Sequence, residues 1–208
     1  MDQQLLPERV GLYSLLRALY TYPLTEAGLN AVSQLAVAPE SPLMAGLLQM
    51  RPNGQPTVTP DELNIEMTRL LEGPGLTPAP PYASYYLNSK QLMGPPAMAA
   101  RHVYLQWRAI PTGEMQLPGD HIALELGFMA HLAQLAVEGD ETALSAGRDF
   151  LRRHLLPWLP RFCDALAKSS RVPFFAGLAH LTQAAVQADL AWLDHILSET
   201  FTETVETV

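Results

Sequence analysis

The chain predicts an all-α helical bundle with Pro-rich connecting loops, and three observations carry that expectation. Leucine and alanine dominate while isoleucine and valine are sparse, a bias toward helix over strand. Apolar residues recur at spacings of three and four in one segment after another. No run of alternating polar and apolar residues bounded by hairpin turns interrupts them. The length suits one domain, 1–208, of about eight to ten helices.

Taken in order, Leu12, Leu15, Leu16 and Leu19 form a first stripe, and Leu29, Val32 and Leu35 a shorter second one. The third segment is the best marked at its start. Thr59 is an N-cap, Pro60 takes the first helical position, and Glu62 completes a capping box. Its apolar face is Leu63, Met67, Leu70 and Leu71, and Gly73-Pro74-Gly75 stops it. A helix from Pro95-Pro96 carries Met98, Leu105 and Trp107. After Pro118 comes the clearest helix, with Ile122, Leu126, Met129, Leu132 and Leu135 on one face and Glu138-Gly139-Asp140 at its end. Asp140 caps a helix bearing Leu144, Leu151 and Leu155; Pro157 breaks it and begins another with Trp158, Phe162 and Leu166. The last helix, from Pro173, carries Phe174, Leu178, Leu181, Ala185, Trp192 and Ile196, and residues 201–208 are expected to fray.

Composition excludes several classes of function. A net charge of −8 disfavours nucleic acid and favours a basic partner. Charged residues are only 16% of the chain, which suggests apolar surface covered by a partner. The single cysteine, Cys163, sits in an apolar helical context and reads as a buried structural thiol. No stretch approaches the roughly 20 apolar residues of a membrane span, and the acidic N-terminus does not read as a signal peptide. The expectation is a soluble, cytoplasmic protein without stable membrane insertion.

Two segments stand out. Asp120-His121, placed by Pro118-Gly119 at the mouth of a helix, is an adjacent acid and imidazole where backbone N–H groups and a positive dipole end converge. Asp120 reads either as a cap or as an acceptor for a cationic group in a groove, with His121 beside it and Glu125 one turn on. His121 and Glu125 lack further ligands at metal-binding spacing, so no metal is expected. The second segment, Gly73 to Tyr86, has no Lys-Ser/Thr of a phosphate loop. Its Pro80-Pro81 suggests an extended path presenting Tyr82, Tyr85 and Tyr86, either to a peptide or against a neighbouring helix. Ser84 lacks the Gly-x-Ser-x-Gly frame of a nucleophile. No catalytic residue set emerges. The rival reading is a small acid–base enzyme or nucleotide-dependent switch using Asp120, His121 and Glu125, which requires those groups to converge in one closed pocket.

The order Met67-x-x-Leu70-Leu71-x-Gly73-Pro74-Gly75, then Pro80-Pro81-Tyr82-x-Ser84-x-Tyr86, then Pro118-x-Asp120-His121 resembles the TorD/DmsD family of redox-enzyme maturation chaperones, related to the NarJ group. Phe150-Leu151-x-x-His154-Leu155-Leu156-x-Trp158 and Pro173-Phe174-Phe175 extend the resemblance, which runs from about Asp61 to Trp192, whereas residues 1–58 fit by periodicity alone. The resemblance implies a non-enzymatic chaperone that binds the twin-arginine signal peptide of a molybdopterin-containing oxidoreductase precursor and delays export until cofactor insertion. It implies peptide-binding roles for Met67, Leu70, Leu71, Pro81, Tyr82, Pro118, Asp120 and His121, with Glu72, Ser84, Tyr86 and Glu125 as additional groove residues. It also implies no tightly held cofactor, guanine nucleotide in some members, and a monomer or domain-swapped dimer. Met67 and Leu71 stand where aromatic residues are common in the family, Tyr82 where tryptophan often occurs, and Gly119 where a polar or acidic residue is frequent. Methionines 67 and 129 would lend the groove adaptable walls.

Overall fold

The computed structural model describes residues 5–52, 54, 58–73, 77–109 and 117–206, with the side chains of 199–206 left out. Ten α-helices run in the order α1 (Leu5–Leu19), α2 (Glu26–Gln34), α3 (Met44–Met50), α4 (Pro60–Met67), α5 (Ala83–Leu87), α6 (Pro95–Gln106), α7 (Ile122–Val137), α8 (Thr142–Phe150), α9 (Leu159–Ser169) and α10 (Pro173–Glu206). Two π-helical turns, Thr68–Glu72 and Leu151–Leu155, continue α4 and α8. The protein is all-α.

Helix α7 occupies the middle because it is apolar nearly all round. Ile122, Ala123, Leu126, Phe128, Met129, Leu132 and Ala133 are all buried. It packs chiefly against α1 and α8, while α10 packs against α3, α9 and α8. Helices α3 and α10 touch backbone to backbone. A Cβ on Gly46 would lie 2.6 Å from the Leu181 nitrogen, and one on Gly177 would lie 2.6 Å from the Gly46 carbonyl. Any larger residue at this crossing would push the helices apart.

A buried ion pair joins the first helix to the last. Arg9 donates to both oxygens of Asp189, Nε–Oδ1 at 2.5 Å and Nη2–Oδ2 at 3.1 Å, and the Tyr13 hydroxyl donates to Oδ2 at 2.7 Å. The Arg9 guanidinium also lies 4.8 Å from the centroid of Trp192. Desolvation and the neighbouring Asp189 charge hold the Tyr13 phenol well above its ordinary acidity range.

The capping box at Thr59 forms as expected: the Glu62 amide donates to the Thr59 hydroxyl at 3.3 Å, and the Thr59 amide donates to the Glu62 carboxylate at 2.8 Å. Leu63, Met67, Leu70 and Leu71 are buried. Gly73 ends the helix in extended conformation, while Pro74 and Gly75 lie outside the described residues. Asp140 receives the Thr142 amide at 3.0 Å, as a cap for α8 should.

Two expectations need correction. Helix α6 buries Ala97, Ala100 and Tyr104 rather than Met98 and Leu105, which are 69% and 54% exposed. Small alanines let α6 approach the backbone around Gly119, and close approach won over side-chain hydrophobicity. Pro157 falls in a turn, so α9 restarts at Leu159 with Pro160 in its first turn. The backbone of α10 is helical to Glu206, and residues 207–208 lie outside the described set.

Candidate functional site

The two segments singled out in the sequence are one structure. Tyr82 and His121 form an isolated antiparallel bridge. The Ala83 amide donates to the Asp120 carbonyl at 3.0 Å, and the Ile122 amide donates to the Pro81 carbonyl at 2.9 Å. Proline at 80 and 81 holds this strand extended, which leaves its carbonyl free to accept from the start of α7. The Tyr82 and His121 rings meet edge to face, with centroids 5.1 Å apart.

The Asp120 side chain completes the junction. Its Oδ2 accepts the Ser84 amide at 2.6 Å and also the Ser84 hydroxyl. Asp120 is therefore not a cap of its own helix, and it is not open to a ligand. It is fully buried and pins the start of α5. The N-cap is His121, whose Nδ1 accepts the Ala123 amide at 3.1 Å. Desolvation pushes the His121 pKa down to about 4, so the ring is neutral near pH 7, as an acceptor must be. The Oδ1 oxygen of Asp120 is buried without a hydrogen-bond partner.

Gly119 owes its identity to packing. A Cβ there would lie 2.7 Å from the Ala97 carbonyl of α6, and the Tyr104 hydroxyl donates to the Gly119 carbonyl at 2.8 Å. The polar residue that the family resemblance would place here would displace α6.

Glu125 is also buried, and its Oε2 accepts the Trp158 indole N–H at 3.1 Å. Burial raises its pKa well above the ordinary carboxyl value, the indole bond opposes this, and the nearby Asp120 charge raises it further. Glu125 and His121 do not converge, because the His121 ring folds back onto its own helix start. Asp120, His121 and Glu125 each bond to a different partner, so they form no acid–base relay.

Burial sorts the remaining candidates. Met67, Leu70, Leu71, Pro81 and Ser84 are buried, and Met129 with them, so the methionines expected to line a groove belong to the core. Tyr82, Tyr86 and Pro118 are partly exposed, and Glu72 is exposed. Tyr86 stacks on Trp158 with centroids 5.7 Å apart, the plugging alternative for that residue. Desolvation raises the pKa of Tyr82, with the charges of Glu72 and Asp120 adding to it. The accessible part of the predicted set is thus two tyrosines, a carboxylate and a proline.

Sequence reasoning missed a cleft of about 340 Å³ on the other side of the junction. Ala83, Pro95, Pro96, Glu125, Arg153 and His154 line it. The adjoining α5–α6 segment exposes Leu87, Leu92, Met93 and Met98, with Met93 74% exposed. A cluster of large exposed apolar residues between prolines 81 and 95 was the available signal. Among the described residues no helix is long and apolar enough to cross a membrane.

Comparison with known proteins agrees with this architecture. A model of the nitrate reductase delta subunit family matches residues 38–164, which reaches into the part read by periodicity alone and stops before α10. The chaperone protein TorD of Vibrio cholerae serotype O1 is 34% identical over 125 residues, 58% of this chain and 57% of that protein. TorD of Aliivibrio salmonicida is 29% identical over 138 residues, 64% of each chain. The match thus spans less than two thirds of these relatives. A crystal structure of a protein named as a redox enzyme maturation protein, from Archaeoglobus fulgidus, superposes with a TM-score of 0.52 at 21% identity, covering 90% of this chain and 93% of that one. That likeness is one of fold. On the family match and the fold together, the chain belongs to the nitrate reductase delta subunit family, the TorD/NarJ family.

Proposed function

We propose that this protein is a cytoplasmic, system-specific chaperone that binds the twin-arginine signal peptide of a molybdopterin-containing oxidoreductase precursor, engages its catalytic subunit, and delays export until cofactor insertion. The observation that supports this reading best is the hydrogen-bonded junction of Pro80–Ser84 with Pro118–Ile122. Its bonds join residues 36 or more positions apart into one ordered edge. A peptide receptor gains affinity when its contact residues are already ordered.

The exposed residues suit such a peptide. Glu72 offers an exposed carboxylate and Tyr82 a half-buried ring, groups that accept a guanidinium by charge and by stacking. Leu87, Leu92, Met93 and Met98 offer apolar area to the hydrophobic stretch that follows the arginines. Met67, Leu70, Leu71, Asp120, His121 and Ser84 support the edge from below. The net charge of −8 favours a basic peptide at long range.

Calorimetric titration of cognate and unrelated twin-arginine peptides tests the proposal. Cognate binding at least tenfold tighter is expected; equal weak binding of both would end the dedicated role.

A further inference from the structure

We propose that the cleft between the α5–α6 segment and the Leu151–Leu155 turn receives one guanidinium side chain from a peptide partner, and that Glu125 at its floor releases a proton to solvent as the cation enters. This deepens the peptide-binding reading and rests on it for the identity of the partner.

The cleft is built for a flat, weakly hydrated cation. Its walls are Ala83, Pro95, Pro96 and the His154 ring, which is itself fixed by stacking on Phe150 with centroids 4.6 Å apart. An ammonium group would lose its tight hydration shell between such walls, whereas a guanidinium stacks on them. The floor is a carboxyl group only 1% exposed, yet it lines the cleft. One of its oxygens is held by the Trp158 indole, and no cation is bonded to it.

Every group facing Glu125 points the same way. Asp120, in the turn before α7, destabilises a second negative charge nearby. Tyr104 from α6 stays protonated, because desolvation raises its pKa. His121 is neutral near pH 7, and His154 is shifted toward neutrality by burial and by Arg153. Arg153 is the one cation lining the cleft, but its side chain is 76% exposed and lies 3.7 Å from Asp149, at the mouth rather than the floor. Burial with no bonded cation therefore disfavours the charged form of Glu125 in the empty cleft. An entering guanidinium supplies the missing positive charge, the O–H bond of Glu125 breaks, the proton passes to water, and the carboxylate accepts from the guanidinium.

The test is calorimetry of a synthetic twin-arginine signal peptide near pH 6 in two buffers of different ionisation heat. The peptide should release close to one proton on binding, and a version with citrulline in place of arginine should release none. Glu125→Gln keeps an acceptor for the Trp158 indole. It should bind the arginine peptide on the order of tenfold to a hundredfold more weakly, without proton release. In parallel, N-acetylarginine amide at millimolar concentration should shift the Trp158 indole N–H resonance in the native protein and not in the Gln variant. Tight peptide binding without proton release, and unchanged in Glu125→Gln, would overturn the cleft proposal and leave the peptide reading intact. If the peptide fails to bind but N-acetylarginine amide still shifts Trp158, the cleft stands and the peptide reading falls. If neither ligand moves Trp158, the cleft proposal is wrong.

Discussion

Two of the buried-acid clusters in this molecule are opposites. At the α1–α10 contact Asp189 is paired with Arg9, with both carboxylate oxygens bonded to the guanidinium and Tyr13 bonded to one of them. At the junction before α7, Asp120 and Glu125 are buried with Ser84 and Trp158 as neutral partners, and one Asp120 oxygen has none. A buried charge supplied with its counter-ion locks a contact. A buried acid denied one stores an unmet demand, and such sites tend to be where a ligand or a proton comes in. The difference separates the part of the fold that holds the bundle together from the part that is poised to act.

The largest effect should come from breaking the satisfied cluster. Arg9→Ala leaves Asp189 buried without a cation and should cost about 3–5 kcal/mol of unfolding free energy, measured by denaturant titration. A loss under about 1 kcal/mol would show that the pair is not the lock it looks like.

The junction should instead reveal itself through pH. His121 has a folded pKa of about 4 against an ordinary 6.5, so between those values the unfolded chain binds more protons. Stability should fall by about 3 kcal/mol as pH drops from 6.5 through 4. His121→Asn, which can still cap α7, should remove most of that slope. Glu125 has the opposite sign. Its folded pKa is raised, so its contribution is full below about 4.5 and is lost as pH rises through the folded value. Glu125→Gln should therefore flatten a decline toward alkaline pH. A variant whose stability curve parallels the native one would remove the distinction between the clusters.

Next in size, Asp120→Asn and Ser84→Ala each disturb one shared hydrogen-bonded unit and should each cost about 1–3 kcal/mol. Because they touch, the double variant should cost less than the sum by more than about 0.5 kcal/mol. Strict additivity would argue against the contact. Smallest in stability, Tyr82→Ala removes a half-exposed ring and should lower stability by about 1 kcal/mol or less while weakening peptide binding at least tenfold. A large stability loss with unchanged binding would move the peptide contact away from Tyr82.

Much of the helical layout was legible in the chain. Thr59-Pro60-Asp61-Glu62 marks a helix start by local hydrogen bonding alone, and the Ile122–Leu132 stripe marks the central helix by spacing. The α6 face was misread because Met98 and Leu105 outrank alanine in hydrophobicity, while burial there depends on how near a neighbouring backbone comes. The site was legible as a set of residues and not as a surface. Asp120 and His121 look like ligand groups in sequence because both are polar. Their burial follows from Ser84, 36 residues upstream, and from the backbone of Ala123.

The sequence by itself therefore determined the all-helical class, most helix starts and the ordered motifs, because these depend on neighbours within a turn or two of the chain. Only the tertiary structure decided which polar residues face water. It closed Asp120 onto Ser84, left Glu125 as the floor of a cleft and gave Asp189 its arginine, since charge and desolvation depend on atoms brought together from distant parts of the chain.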